Sequence, residues 1–284
     1  MNRPPVIDSH LHVWDLGSGG YDWLRPEHGR LYASFTPEQA ARELEATGVA
    51  RAVLVQAEDS ERDTRYLLDV ADRFPFVAGV VGWVLLEDPP RAVAQLEDYG
   101  RHRAFRGVRH LVHDDPRDDF LQLSSVRESL RLLAERGLPF DVPDAWPRHL
   151  AAVADLADAL PDLTVVVDHL GKPPRGRPDF DAWARAFREV ARRPNTVAKL
   201  SGLQTPGAEL SASGLRQVWN LALEVYGPSR LMYGGDWPMT VPFGGYALTW
   251  QVLSTLVDEL TADERAAVLG GTAARVYRLR VTDV

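Results

Sequence analysis

His10 and His12 stand two residues apart at the end of an apolar run, Val6-Ile7-Asp8-Ser9-His10-Leu11-His12-Val13-Trp14. Alternate residues of a strand point to the same side. Both imidazoles can therefore face one space, as a metal ion or a polarised carbonyl requires. On an edge strand the same pair would be two partly exposed rings. Two distant segments favour chemistry: Val167-Asp168-His169-Leu170-Gly171-Lys172-Pro173 and Gly234-Gly235-Asp236-Trp237-Pro238. Each ends an apolar run with a residue able to ligate a metal or carry a proton. Small residues before Asp236 admit a close approach by backbone or ligand. An unpaired buried carboxylate is costly, so Asp236 calls for a metal, a histidine or a proton from water. For His169 and Asp236 the alternative is a cap on nearby backbone.

Other polar and aromatic residues fall at the ends of apolar runs: Gln56, Trp83, Arg109, Asp141, Lys172, Ser201 and Trp237. Arg109 shares a strand face with Gly107, and its planar fork suits a carboxylate or an oxyanion. An ion pair at the rim is the competing reading. His110 points the opposite way. Lys172 faces either an anionic substrate or solvent. Lys199 shares a face with Ser201, and either can fill an interior layer. His28, His102, His113 and His149 read as surface residues unless a loop folds over the site. Tyr21, Trp23, Trp83, Trp146 and Trp237 can wall a cyclic substrate or pack in the core.

The elements that must position these groups alternate. The strand expectations are Val6–His12, Ala52–Gln56, Val77–Val84, Phe105–His110, Leu138–Val142, Leu163–His169, Thr196–Ser201 and Arg230–Asp236. Helices are expected over Pro37–Thr47, Glu61–Arg73, Pro90–Tyr99, Ser124–Arg136, Pro147–Leu160, Phe180–Arg193, Gly214–Tyr226, Ala247–Leu260 and Asp263–Tyr277. Pro147 suits a first helical turn. The strands are near-continuous apolar runs, as parallel strands buried on both faces should be. Eight strand–helix units predict a (β/α)8 TIM barrel in one domain over residues 1–284. A doubly wound sheet would usually carry a Gly-rich first turn, which is missing. The long irregular stretches all follow strands. In a barrel they cover the C-terminal face, where the polar strand-end residues converge.

Totals narrow the function. Apolar residues make up 45% of 284, enough for a substantial core. The formal net charge of −8 and the lack of any basic cluster disfavour nucleic acid. No cysteine is present, so any metal must sit on histidine and carboxylate. No apolar stretch approaches the roughly 20 residues that span a bilayer. The N-terminus shows no secretory pattern. The expectation is a soluble, cytoplasmic protein without membrane association. A homo-oligomer is left open.

Asp8-Ser9-His10-Leu11-His12-Val13-Trp14, Phe105-Arg106-Gly107-Val108-Arg109-His110, Asp168-His169-Leu170-Gly171-Lys172-Pro173, Leu200-Ser201-Gly202-Leu203 and Gly235-Asp236-Trp237-Pro238 together resemble the amidohydrolase superfamily. The nearest branch is the amidohydrolase 2 group, with sugar-lactone and 2-pyrone-4,6-dicarboxylate lactonases. The resemblance runs from about Val6 to Leu279. It implies a distorted (β/α)8 barrel that hydrolyses at its strand ends. By position, His10, His12, His169 and Asp236 match the superfamily's metal ligands, with Asp236 also taking a proton from the attacking water. Metal use varies in this branch. The expectation is at most one divalent ion, zinc by preference, or a metal-free site. The fourth-strand lysine that bridges two metals elsewhere has no counterpart here. Gly234-Gly235-Asp236 stands where Gly-Ser-Asp is expected.

The function so implied is opening of a sugar-acid (aldonic) lactone, with Asp236 and His169 catalytic. Arg109, Gln56, Trp83, Asp141, Lys172 and Trp237 are the candidates for substrate contact. The alternatives are a metal-dependent decarboxylase of the same superfamily and a barrel that binds a sugar acid without turnover.

Overall fold

The computed structural model describes residues 4–279. Eight strands form one parallel sheet in chain order: β1 (Ile7–Leu11), β2 (Arg51–Val55), β3 (Val77–Gly82), β4 (Phe105–Arg109), β5 (Phe140–Val142), β6 (Val165–Val167), β7 (Thr196–Leu200) and β8 (Leu231–Tyr233). The sheet closes on itself just beyond β8. Asp236 N–H donates to His10 O at 2.8 Å, and His12 N–H donates to Trp237 O at 2.7 Å. The result is a distorted (β/α)8 barrel, as the alternation of patterns predicts.

Between the strands run α1 (Pro37–Thr47), α2 (Glu61–Arg73), α3 (Pro89–Tyr99), α4 (Ser124–Arg136), α5 (Leu150–Ala159), α6 (Phe180–Ala191) and α7 (Ala212–Tyr226), and α8 (Gly245–Val257) follows β8. Local chemistry sets their ends. The Thr36 hydroxyl accepts the Gln39 N–H while the Gln39 side chain accepts the Thr36 N–H, and Pro37 opens α1. Gly48 ends it in the left-handed region. The helix after β5 starts at Leu150, not at Pro147, which lies in the turn before it.

The expected helix over Asp263–Tyr277 is broken into α9 (Ala262–Ala266), a π-helical turn (Ala267–Gly271) and α10 (Thr272–Val276). Gly270 is the physical reason. Its backbone presses against Pro5, and a Cβ there would lie 2.7 Å from Pro5 O. The break lets α10 turn across the N-terminal end of the barrel. Ala273, Val276, Tyr277 and Leu279 pack there on Ile7, Val53, Val55, Val81, Val166, Val197 and Met232. This plug seals the floor, so the polar groups above it open only toward the strand C-termini.

Strands β5, β6 and β8 are shorter than their sequence patterns. After Val167 the backbone turns into a short 3-10 segment in which His169 and Leu170 have φ of 55° and 53°, and Lys172, just past its end, has φ of 61°. Asp236 has φ of 51°. The expected strand runs to His169 and Asp236 are corrected accordingly: both residues sit on left-handed backbone past the ladder. Such φ values are uncommon for non-glycine residues and cluster at functional sites. No helix among the described residues is long and apolar enough to cross a membrane.

Candidate active site

Three imidazoles converge on one carboxylate oxygen. Asp236 Oδ1 lies 3.8 Å from His10 Nε2, 3.7 Å from His12 Nε2 and 4.0 Å from His169 Nε2. His10 Nε2 and His12 Nε2 are 3.1 Å apart. All four residues are at least 95% buried. His12, His169 and Asp236 line a cleft of about 290 Å³ together with Trp14, Trp23, Leu31 and Phe243, and His10 is fully buried outside the lining.

Each ring is held from behind through Nδ1. His12 Nδ1–H donates to Val55 O at 2.7 Å, so β2 seats the second histidine of β1. Ser201 Oγ is hydrogen-bonded to His169 Nδ1 at 2.9 Å. His10 Nδ1 faces Lys199 Nζ at 3.1 Å. Burial holds all three imidazoles well below their ordinary pKa, so they are neutral. Burial pushes the Asp236 carboxyl up to about 7, against the opposing pull of Lys172, Gln204 and Arg109. A base poised near neutrality is the condition for efficient proton transfer at neutral pH.

The other sequence candidates divide. Arg109 and Lys172 line the cleft. The Arg109 guanidinium reaches toward Asp168 Oδ2 and His10 Nε2, both at 3.4 Å, and donates to Gln56 O. Lys172 Nζ stands 3.6 Å from Asp144 Oδ1. Asp141 does not reach the cleft. It is fully buried beneath it, against Lys199 and Tyr277. Gln56 is likewise buried outside the lining, donating to Asp59 at 2.9 Å. Trp83 turns its indole N–H to His110 Nδ1 at 3.2 Å, away from the lining. Trp237 is 97% buried edge-on to Phe35 and supports the wall from behind.

Of the four histidines read as surface residues unless a loop folds over the site, His113 meets that condition, because the loop after β4 brings it to the cleft, and His149 is instead fully buried. Sequence reasoning also passed over four groups. Gln204 donates from Nε2 to Asp236 Oδ2 at 3.0 Å and belongs to the irregular stretch after β7. Asp144, on left-handed backbone after β5, lines the cleft beside Lys172. Asp168 pairs with Lys199 at 3.0 Å and with Arg109 at 3.4 Å. Asp8 accepts N–H bonds from His10 and Gly235, which ties the start of the motif to the Asp236 turn. The glycine in place of serine at 235 also has its reason. A Cβ there would lie 2.1 Å from the Tyr246 ring.

Among the described residues two sets could hold a metal ion: His10, His12 and Asp236, and His10, Asp168 and His169. The first fits a mononuclear zinc site by its donors, two imidazoles and a carboxylate on a cavity open to substrate. His12 fits best, since its Nδ1–H already rests on a carbonyl, as in most metal-ligating histidines.

Residues 7–279 match the model of a protein family described as amidohydrolase. The chain is 36% identical over 280 residues to the L-fucono-1,5-lactonase of Burkholderia ambifaria, covering 96% of this chain and 95% of that protein. It is 33% identical over 290 residues to the L-fucono-1,5-lactonase of Burkholderia multivorans, covering 96% of each. The crystal structure of an amidohydrolase from Burkholderia multivorans with bound zinc matches at a TM-score of 0.88 and 31% identity, covering 97% of this chain and 100% of that one.

Proposed function

The chain belongs to the amidohydrolase family, and on that premise we propose that it hydrolyses the lactone of a sugar acid, with Asp236 as the base. The convergence of three neutral imidazoles on the Asp236 carboxylate, with Arg109 lining the same cleft, in a chain similar over nearly its whole length to L-fucono-1,5-lactonases, carries this reading.

The chemistry follows from the geometry. Water between Asp236 Oδ1 and the lactone carbonyl gives its proton to Asp236 as its oxygen bonds to the carbonyl carbon. Negative charge develops on the carbonyl oxygen and is met by the Arg109 guanidinium and, with the Ser201 hydroxyl donating to Nδ1, by the Nε2–H of His169. The tetrahedral carbon then expels the ring oxygen, which takes the proton back from Asp236. The products are a hydroxyl and a carboxylic acid, and ionisation of the acid releases one proton per turnover. Gln204, bonded to the second oxygen of Asp236, keeps Oδ1 aimed at the water. Lys172, Asp144 and His113 offer charged and polar partners for sugar hydroxyls, while Trp14 and Trp23 cover the apolar ring face. Zinc held by His10, His12 and Asp236 would polarise the carbonyl and acidify the water when bound.

The test is a panel of five- and six-membered aldonolactones assayed with a pH indicator, with metal content measured on the same sample. Proton release with saturation on at least one sugar lactone is expected. Silence across the panel, alongside carbon dioxide release from an aromatic or enoic acid, would move the assignment to a decarboxylase.

A further inference from the structure

Lys199 is one of two lysines in the chain, and it is fully buried inside the barrel. Its Nζ lies 2.6 Å from Asp141 Oδ2, 3.0 Å from Asp168 Oδ1 and 3.1 Å from His10 Nδ1. Tyr277, just past α10, donates its O–H to Asp141 Oδ2 at 2.7 Å, so the cation is anchored from the barrel floor. The alternation of β7 sends Lys199 and Ser201 inward together. One strand thus seats two of the three site histidines, His10 through Lys199 and His169 through Ser201.

The two seats differ in kind. A carbonyl behind His12 accepts a proton, whereas an ammonium behind His10 supplies one. We propose that Lys199 is a positioning residue that donates to His10 Nδ1, fixes the ring as its Nε2–H tautomer, and thereby makes His10 a hydrogen-bond donor in the site and a reluctant metal ligand.

The nearer neighbour on each edge of the ring agrees, and the farther one, Asp168 or Arg109, favours the other tautomer. At Nδ1 the nearer group is the donor Lys199 at 3.1 Å, and the acceptor Asp168 Oδ1 is at 3.5 Å. At Nε2 the nearer group is His12 Nε2 at 3.1 Å, and the donor Arg109 is at 3.4 Å. His12 Nε2 must accept, because its Nδ1–H is committed to Val55 O. The proton between the two rings therefore belongs to His10 Nε2. A chain results: Lys199 donates to His10, His10 to His12, and His12 to Val55 O. Ligation through His10 Nε2 breaks this chain. The ring proton must move to Nδ1, where the ammonium opposes it, and turn to Asp168. Metal-ligating histidines ordinarily present that N–H to an acceptor, so Lys199 weakens zinc binding at the His10, His12 and Asp236 set.

The role of His10 in turnover rests on the lactone reading above; neither test below uses a lactone, so the two can fail separately. The first test is nitrogen NMR of metal-stripped protein labelled with 15N-histidine, with His10 assigned by its loss in His10→Gln. A protonated Nε2 and bare Nδ1 are expected at His10, and a protonated Nδ1 would overturn the proposal. The second is a calorimetric zinc titration of the parent and of the Asp141→Asn, Lys199→Met double variant. In the double variant the amide oxygen at position 141 still accepts the Tyr277 O–H, and Asp168, which loses Lys199, keeps Arg109 at 3.4 Å. Zinc affinity about tenfold or more tighter than the parent's is expected, and equal or weaker affinity would count against the proposal. If the double variant fails to fold, the NMR of the parent decides the matter alone.

Discussion

Asp8 and Gly235 are joined across the seam of the barrel. Oδ1 of Asp8 accepts the Gly235 N–H at 2.9 Å and the His10 N–H at 2.8 Å, while Oδ2 accepts the Tyr246 O–H at 2.8 Å. One carboxylate therefore sets both the strand that carries the first two histidines and the turn that carries Asp236. Burial pushes this carboxyl up to about 6, opposed by those same hydrogen bonds. The seam is tight as well as polar, and the first prediction tests its tightness.

Gly235→Ser should destabilise the fold by about 1–3 kcal/mol, the usual cost of overpacking a filled core. The added Cβ would fall 2.1 Å from Tyr246 Cε2 and 2.6 Å from Asp8 Oδ2. Urea denaturation of parent and variant measures the effect. An unchanged midpoint at equal slope would show that the seam has room.

Asp236→Asn should lower kcat by about 10²–10⁴-fold, the typical worth of a general base, while keeping the fold and most substrate binding. The amide keeps the shape, and its oxygen can still accept from Gln204, which now donates to Oδ2. Steady-state kinetics on the best lactone, with circular dichroism as a fold control, measures it. Near-normal kcat would pass the role of base to a histidine.

Gly202→Ala should damage turnover without any change in the groups that do chemistry. Gly202 has φ of 58°, and a Cβ there would lie 2.2 Å from His169 Nδ1, inside the space of its bond to Ser201. The ring must swing away or the loop must shift. The expected result is a lower kcat together with loss of the His169–Ser201 hydrogen bond in a crystal structure of the variant. Parent-like kinetics would mean that His169 tolerates displacement.

Asp63→Asn should gain stability relative to the parent as pH rises. Asp63 accepts the Tyr21 O–H at 2.6 Å and the Ala57 N–H at 2.8 Å, and burial raises its carboxyl from 3.8 to about 6 despite them. The folded state therefore holds the proton more tightly than the unfolded chain. The contribution of this group is complete below 3.8 and is lost as pH climbs through about 6. About two pKa units correspond to about 3 kcal/mol. The difference in unfolding free energy between variant and parent should move toward the variant by up to that amount between about pH 4 and about pH 7. Chemical denaturation across this range measures it, and a flat difference would place the proton elsewhere.

Much of the architecture is legible in local pattern. Valine-rich runs such as Val165–Val167, buried on both faces, can only be interior parallel strands, and the amphipathic stretches between them can only cover the outside. Alternation in β1 likewise puts His10 and His12 on one side, and the position of Arg109, His169 and Asp236 after apolar runs places them near the C-terminal mouth. These properties depend on neighbours within a few residues, so the chain states them directly.

What each polar group meets depends on residues far away in the chain, and there local pattern is silent. Asp141 stands opposite Arg109 in the β4–β5 register, yet it lies under the site because Lys199 and Tyr277 reach it from 58 and 136 residues away. Lys199, a plausible layer filler by its spacing, touches His10 across 189 residues. Gln204, Asp144 and His113 reach the cleft only because their loops fold over it. His169 and Asp236 point inward from left-handed backbone that their strand-like surroundings do not announce. The period of the chain determined the barrel and the end of it that is active. Only closure of the barrel decided which carboxylate faces the cleft and which lysine stands behind a histidine, because a buried charge takes its role from the partners packed against it, and those partners come from other strands.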